Sequence, residues 1–211
     1  MSEAAAVPQG TGSKPVMGVT SGKFAMWLFL GSDGMSFMGL IATYVALRWG
    51  QHEIWPKPSE SLAINLTAFN TFVLICSSVS MVKAFAAARA GNVAGLKFWL
   101  FLTIVGGAFF LGVQAYEYNQ LIFHENLTLT TLPAHVIEHN PNATTLFGAT
   151  FYGLTCFHGF HVLSGVIYLS VVLILVFLGS WTVNRIEIVG LYWHFVDLVW
   201  IVIFTIVYLV E

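Results

Sequence analysis

Hydrophobic residues along this chain are grouped into long segments, and short polar connections separate them. Each segment is long enough to cross the hydrocarbon core of a bilayer, which takes about 20 helical residues. Only helices and closed barrels satisfy the backbone polar groups at that depth. The pattern predicts an all-α integral membrane protein with five transmembrane helices in a bundle, at residues 24–47, 62–87, 96–122, 146–178 and 187–210.

Composition supports a membrane protein and argues against a soluble or a nucleic-acid-binding protein. The 211 residues are 57% hydrophobic and only 9% charged, and mean hydropathy is +0.80. Because an average soluble domain is about 25% charged, a soluble protein is excluded. The net charge of -2 gives no indication of a nucleic-acid partner.

The distribution of basic residues predicts how the helices are oriented. Residues 1–22 are rich in Ala, Gly, Ser and Thr and predict a disordered segment before one transmembrane domain at residues 23–211. Cytoplasmic connections carry an excess of Lys and Arg. This rule places the amino terminus inside and the carboxy terminus outside, because the basic residues divide into Lys14, Lys23, Lys83, Arg89, Lys97 and Arg185 on one side and Arg48 and Lys57 on the other.

Two features suggest where the second segment and its preceding loop lie. Trp49 and Trp55, close to Pro56 and Pro58, are typical of a short connection at the membrane interface, where indole rings concentrate. The second segment has more polar residues than a lipid-facing helix, so we expect most of them to pack on protein. They are Asn65, Thr67, Asn70, Thr71, Ser77, Ser78 and Ser80.

The last two segments contain ionisable residues at membrane depth, where such groups are costly unless they face protein. His158 and His161 are three residues apart and share one helical face, and His194 and Asp197 repeat this spacing on the next helix. We expect these four side chains to be structural, bonding between the fourth and fifth helices or meeting lipid or partner groups. The alternatives are a transition-metal site and a proton relay.

Three further polar residues lie in other segments. Gln114 and Glu117 are near the outer end of the third, where an interfacial carboxylate bonded to a neighbouring helix is expected. Asp33 lies about 15 Å into the first segment, which has no basic residue between Phe24 and Leu47. Asp33 is therefore either protonated or paired with a group from another helix or subunit, and it is the proton-handling candidate. No spacing typical of a metal site or of a catalytic residue is found.

Three stretches together resemble subunit III of the haem-copper terminal oxidases, the cytochrome c or quinol oxidase family. The resemblance extends from about Phe24 to the end of the chain. The stretches lie in order on three consecutive segments and read GAFFLGVQAYEY at 107–118, FHGFHV at 157–162 with Gly165, and YWHFVD at 192–197 with Trp200.

The resemblance implies a subunit of an oxygen-reducing, proton-translocating enzyme complex of aerobic respiration. It implies that this chain has no redox centre of its own, because the haems and copper lie in partner subunits. The chain would pack against the catalytic subunit I beside subunit II and other small subunits, support proton uptake and bind phospholipid between its helices. A bacterial cytoplasmic membrane is the expected location.

Two departures from the family pattern are visible. Longer members have seven helices, and this chain resembles the five-helix form that lacks the first two. The family usually has Glu after Ser in the first shared helix, whereas this chain has Ser32 followed by Asp33, one methylene shorter. The alternative functions are a membrane metalloenzyme that uses the His/Asp residues and a small transporter, although no internal repeat supports a transporter.

Overall fold

A computed structural model describes residues 20–56, 63–123, 125–139 and 143–210. These residues form six α-helices, and five of them are long and apolar enough to cross a membrane, which confirms the predicted all-α class. Residues 1–19 of the segment expected to be disordered lie outside the described residues. The helices are α1 (Ser21–Gly50), α2 (Ile64–Arg89), α3 (Val93–Phe123), the short α4 (Ala134–His139), α5 (Leu146–Phe177) and α6 (Val183–Phe204), followed by a π-helical turn at Thr205–Leu209.

The spanning helices form a four-helix bundle with one helix outside it. Helix α2 packs on α3, α3 on α5, α5 on α6, and α6 back on α2, which closes the bundle. Helix α1 packs on the outer side of α5 and α6. The bundle therefore consists of α2, α3, α5 and α6, and α1 covers the seam between its last two helices.

Two glycine turns produce the antiparallel pairs of the bundle. Gly91 (φ 69°) follows α2 and Gly179 (φ 74°) follows α5, both in the left-handed region that favours glycine. After α2, the amide of Asn92 donates to Ala87 O, and after α5 the amide of Ser180 donates to Leu175 O. This pattern ends a helix within a few residues, so the next helix must return alongside it.

Polar residues of α2 face the bundle, as the sequence predicts. Trp193 Nε1 on α6 donates to Ser77 Oγ (3.2 Å), and Trp200 Nε1 donates to Thr71 Oγ1 (2.9 Å). Both indoles are almost fully buried, and a buried indole N–H needs an acceptor. Six of the seven polar side chains expected to pack on protein are buried: Thr67, Asn70, Thr71, Ser77, Ser78 and Ser80.

The two tryptophans near the end of the first helix differ in their surroundings. Trp49 is exposed, whereas Trp55 is buried, with its ring edge-on to Tyr44 (5.5 Å) and Phe147 (5.9 Å). The expected position of this connection at the membrane interface stays a prediction. The amide of Thr144 donates to Ile54 O, and this bond fastens the loop over the bundle with Trp55 beneath it.

Candidate functional site

Asp33 is paired with a histidine of another helix. Its Oδ1 lies 3.2 Å from His161 Nε2, and the two side chains are 10% and 8% exposed. The contact joins α1 to α5 near the middle of both helices. Of the two alternatives that the sequence allows for Asp33, protonation or a partner, the structure provides the partner.

The other ring nitrogen of His161 shows how this pair holds a proton. His161 Nδ1 is 2.7 Å from the carbonyl oxygen of Phe157, and a backbone carbonyl can only accept a hydrogen bond. Nδ1 therefore has the proton of a neutral imidazole. A further proton must lie between Nε2 and Asp33 for the 3.2 Å contact to be attractive, either on the imidazolium or on the carboxyl group. The two side chains together thus share one proton.

Aromatic rings cover the histidine side of the pair. The rings of Phe37 and Phe157 lie 5.0 and 4.7 Å from the His161 ring, both edge-on. Asp33 Oδ2 is buried and has no hydrogen-bond partner among the described residues. Because charges interact more strongly where the effective dielectric constant is low, the location of the shared proton has a larger energetic effect here than at a surface.

His194 and Asp197 meet α2 rather than α5. His194 Nδ1 lies 2.6 Å from Ser78 Oγ. The Asp197 carboxylate lies beside the same serine, and its Oδ1 has no hydrogen-bond partner among the described residues. The contact between His194 and Ser78 fastens α6 to α2.

His158 lies among aromatic rings. Its ring is fully buried and stacks on Trp200 at 4.8 Å, with Phe110 edge-on at 5.9 Å. Neither ring nitrogen has a hydrogen-bond partner among the described residues. His158 therefore faces the centre of the bundle, although His161, three residues later on the same helix, faces α1.

The fourth and fifth spanning helices are joined by a residue other than the four that the sequence suggests; contact of those four with lipid or partner groups, the other part of that expectation, stays a prediction. In the described part of the chain, His158, His161, His194 and Asp197 make no side-chain bond from α5 to α6. Tyr192 makes that connection, with its hydroxyl 2.6 Å from Ser164 Oγ and donating to His161 O. Sequence reasoning missed Tyr192, although it lies inside the YWHFVD stretch.

The four residues also do not converge on one point. Within the described ranges, no three His, Cys, Asp or Glu side chains are close enough to hold a metal ion. His161 faces α1, His194 and Asp197 face α2, and His158 lies among aromatic rings. The geometry gives no support for the alternative of a metal centre built from these side chains.

Gln114 and Glu117 lie inside the bundle. Glu117 is buried, and its Oε1 accepts from Thr67 Oγ1 (3.0 Å) and from the Tyr208 hydroxyl (3.3 Å). Gln114 Nε2 donates to Thr155 O at 3.1 Å. Each side chain thus bonds to a neighbouring helix and is covered by protein, while the expected interfacial position of the carboxylate stays a prediction.

The sequence is similar to a known family and to several known proteins. A sequence model of the family described as Cytochrome c oxidase subunit III matches residues 7–211. A probable cytochrome c oxidase subunit 3 of Nocardia farcinica is 35% identical over 187 residues, covering 87% of this chain and 85% of the relative. The cytochrome c oxidase subunit 3 of Alkalihalophilus pseudofirmus is 31% identical over 216 residues, covering 99% and 98%.

A third relative gives the same result. The cytochrome c oxidase subunit 3 of Bacillus subtilis is 33% identical over 186 residues, covering 87% of this chain and 83% of the relative. The region that the family model matches contains all five spanning helices and every site residue described above. The chain therefore belongs to the cytochrome c oxidase subunit III family.

Proposed function

We propose that this chain is the non-catalytic subunit III of a proton-translocating haem-copper oxidase in aerobic respiration. In this role it stabilises subunit I and supports proton uptake, while the haems and copper lie in partner subunits. The complex reduces oxygen in a bacterial cytoplasmic membrane. Membership of the family supports the place in an oxidase complex, and the Asp33–His161 pair supports the role in proton uptake.

The 3.2 Å contact between Asp33 Oδ1 and His161 Nε2 is the observation on which the proton-handling role depends, because a shared proton is inferred from it. A buried carboxyl with an adjacent imidazole can gain or lose a proton with little movement of heavy atoms, because the acceptor is already 3.2 Å away. Asp33 Oδ2 has no hydrogen-bond partner among the described residues, so it can accept a proton that arrives from outside the pair.

The proposed orientation brings this pair within reach of the cytoplasm. Lys23 forms an ion pair with Glu187 at the start of α1 and α6, at the bundle end where Arg89, Lys97 and Arg185 also lie. An excess of basic residues marks the cytoplasmic side. We therefore place the amino terminus inside, so that α1 enters from the side that supplies protons to the oxidase.

The outer face of α1 is the surface that we propose for contact with subunit I. Its exposed residues include Gly31, Ser32, Ser36, Gly39 and Thr43, and small residues allow close packing of membrane helices. A Cβ at Gly39 meets nothing within 4 Å in this chain. We expect Gly39→Leu to leave the chain folded and to weaken assembly with subunit I. Gly153→Leu is the control, because Gly153 on α5 is equally open.

Phospholipid has a candidate position in a groove between α2 and α3. The groove has a volume of about 380 Å³ and is lined mainly by apolar side chains that include Phe69, Val73 and Phe109. Towards the proposed cytoplasmic end, Lys83 Nζ lies 4.4 Å from the centre of the Trp99 ring. Trp and Lys are typical residues of the headgroup level. We propose that an acyl chain occupies the groove and that Lys83 contacts its phosphate.

Purification of the complex from native membranes in mild detergent tests the assignment as an oxidase subunit. We expect subunits I and II to co-purify with the chain, and the haem absorption to stay with subunit I when this chain is removed. One equivalent of copper, iron or zinc, or a haem band, in the separated chain would instead support the metalloenzyme alternative.

Reaction with an apolar carbodiimide tests the shared proton directly, since this reagent requires a protonated carboxyl group. We expect Asp33 to be modified in the assembled complex and Asp33→Asn to lose this modification. The modified residue is identified by mass spectrometry, which separates Asp33 from the buried Glu117. Absence of modification at Asp33, with modification at Glu117 in the same sample, would contradict the proton-handling role.

A further inference from the structure

The π-helical turn that follows α6 leaves one backbone carbonyl group without its α-helical donor. In an α-helix the amide of Val210 would donate to Ile206 O, four residues earlier. Here this amide donates instead to Thr205 O at 3.2 Å, five residues earlier, as in a π-helix. A side chain of α1 supplies the donor that Ile206 O lacks, because Arg48 Nη1 donates to it at 3.3 Å.

The same guanidinium group makes a second bond just beyond the turn. Arg48 Nη2 donates to Val210 O. The donors of a guanidinium group have a fixed planar arrangement, so both bonds form together only when the two carbonyl groups are suitably placed. In the α register the Val210 amide would occupy Ile206 O, and Val210 O would lie elsewhere. Arg48 therefore favours the π register of this turn.

The π turn also places Tyr208 inside the bundle. Tyr208 is 1% exposed, and its hydroxyl donates to Glu117 Oε1 at 3.3 Å. Its ring stacks on Phe204 at 5.5 Å and contacts Phe151 at 6.0 Å. A change of register turns the residues of such a segment about the helix axis by up to about 100°, the angle of one residue. The bond from Tyr208 to Glu117 thus depends on the π register.

Glu117 depends in turn on its hydroxyl donors. Besides Tyr208, Thr67 Oγ1 donates to Glu117 Oε1 at 3.0 Å. None of the ion pairs formed by the described residues includes Glu117. Burial of a carboxyl group is costly unless hydrogen bonds or an opposite charge compensate it. The position of Tyr208 therefore determines a large part of the polar surroundings of this carboxyl group.

We propose that Arg48 is a positioning residue for the Glu117 carboxyl group and that it acts through the π turn. While Arg48 bonds to Ile206 O and Val210 O, the turn keeps its π register and Tyr208 donates to Glu117. When both bonds are lost, the segment takes the α register and Tyr208 leaves Glu117. The end of α1 is thereby coupled to the interior of the bundle, although α1 lies outside it. This coupling does not depend on the proposed function.

Solid-state NMR on the full chain in lipid bilayers tests this coupling. With ¹³C at Cζ of tyrosine and at the carboxyl carbon of glutamate, a cross-peak reports the contact between Tyr208 and Glu117, and its loss in Tyr208→Phe assigns it. We expect Arg48→Met, which keeps an apolar stem and removes both donors, to lose this cross-peak as well. Lys23→Gln is the matched control, because it removes a polar contact between the other end of α1 and α6 and should keep the cross-peak.

The two variants together decide whether Arg48 positions Tyr208. Loss of the cross-peak in Arg48→Met and its retention in Lys23→Gln are the expected results. Retention in a folded Arg48→Met variant would overturn the proposal and leave Arg48 as a local contact of α1. Loss in both variants would also overturn it, because the overall position of α1, rather than the Arg48 bonds, would then determine the contact.

The wild-type chain decides if Arg48→Met does not fold. ¹⁵N-labelled arginine and isoleucine labelled with ¹³C at the carbonyl carbon report the contact between the Arg48 guanidinium group and Ile206. Detection of this contact together with the cross-peak between Tyr208 and Glu117 is the result expected for the π register. Absence of either signal in the folded wild-type chain would overturn the proposal.

Discussion

The four-helix bundle and helix α1 hold their positions by different means. In the bundle, large side chains such as Trp193, Trp200 and Phe110 are almost fully buried between helices. Helix α1 is 30 residues long, yet only Phe37 and Tyr44 in it are buried. Apolar packing therefore determines the bundle, and it contributes much less to the position of α1.

Polar contacts at three levels fasten α1 instead. Lys23 pairs with Glu187 near its start, Asp33 pairs with His161 near its middle, and the Arg48 guanidinium donates to Ile206 O and Val210 O near its end. Hydrogen bonds and ion pairs depend on direction and on protonation, whereas apolar packing does not. The position of α1 therefore depends more on individual polar contacts than the positions of the bundle helices do.

Removal of the central contact should have the largest effect. His161→Leu leaves the buried Asp33 carboxyl without its partner, and breaking a buried pair in this way costs about 3–5 kcal/mol. We expect faster hydrogen exchange in the amides of α1 and unchanged exchange in α6. The double variant Asp33→Leu, His161→Leu should recover most of the loss. Equal acceleration in both helices would contradict the distinction between them.

Overpacking of the bundle should have the next largest effect. A Cβ at Gly107 would lie 2.4 Å from Trp193 and 2.8 Å from Val166, and an added carbon in a packed core costs about 1–3 kcal/mol. Gly107→Ala should therefore lower the unfolding temperature of the whole chain. Gly112→Ala, on the same helix with nothing within 4 Å, should leave it unchanged or raise it. A similar decrease in both variants would show that apolar packing does not determine the bundle.

Substitution at the end of α1 should have the smallest effect. Lys23 and Glu187 are partly exposed, and such pairs contribute about 0–1 kcal/mol. Lys23→Gln should accelerate exchange only in the first turns of α1, and the exchanged pair Lys23→Glu, Glu187→Lys should restore it. Acceleration along all of α1 would show that the first contact, rather than Asp33–His161, determines its position.

Much of the fold follows from periodicity and turn chemistry, which act locally. Hydropathy predicts the five helices because each has to cross the same apolar layer, and the polar residues of α2 indicate the face that packs on protein. The partner of Asp33 could not be predicted in this way. Their spacing predicts that His158 and His161 lie on one helical face and have the same role. Because α1 packs against the outside of α5, only His161 contacts the Asp33 carboxyl group.

The aromatic and hydroxyl contacts between helices could not be predicted from the sequence either. Tyr192 joins α5 to α6, and Ser78 lies between His194 and Asp197. Both residues are ordinary in a membrane helix, so composition gives no signal for their roles. Trp55 is a similar case, because its contacts with Tyr44 and Phe147 depend on a loop that folds back over the bundle, which is a long-range feature. In each case the sequence does not show how one helix is oriented against another, and this orientation determines the contact.

The most direct test of the central claim is the Asp33→Asn variant of the assembled oxidase. Asn keeps the volume of Asp and can still bond to His161, but it cannot take up a proton. We expect assembly and haem spectra to be nearly unchanged, while proton uptake at high pH becomes slower than in the wild type or the enzyme stays active for a shorter time. Unchanged turnover, proton uptake and active lifetime across the pH range would contradict the account and leave Asp33 as a structural contact of α1.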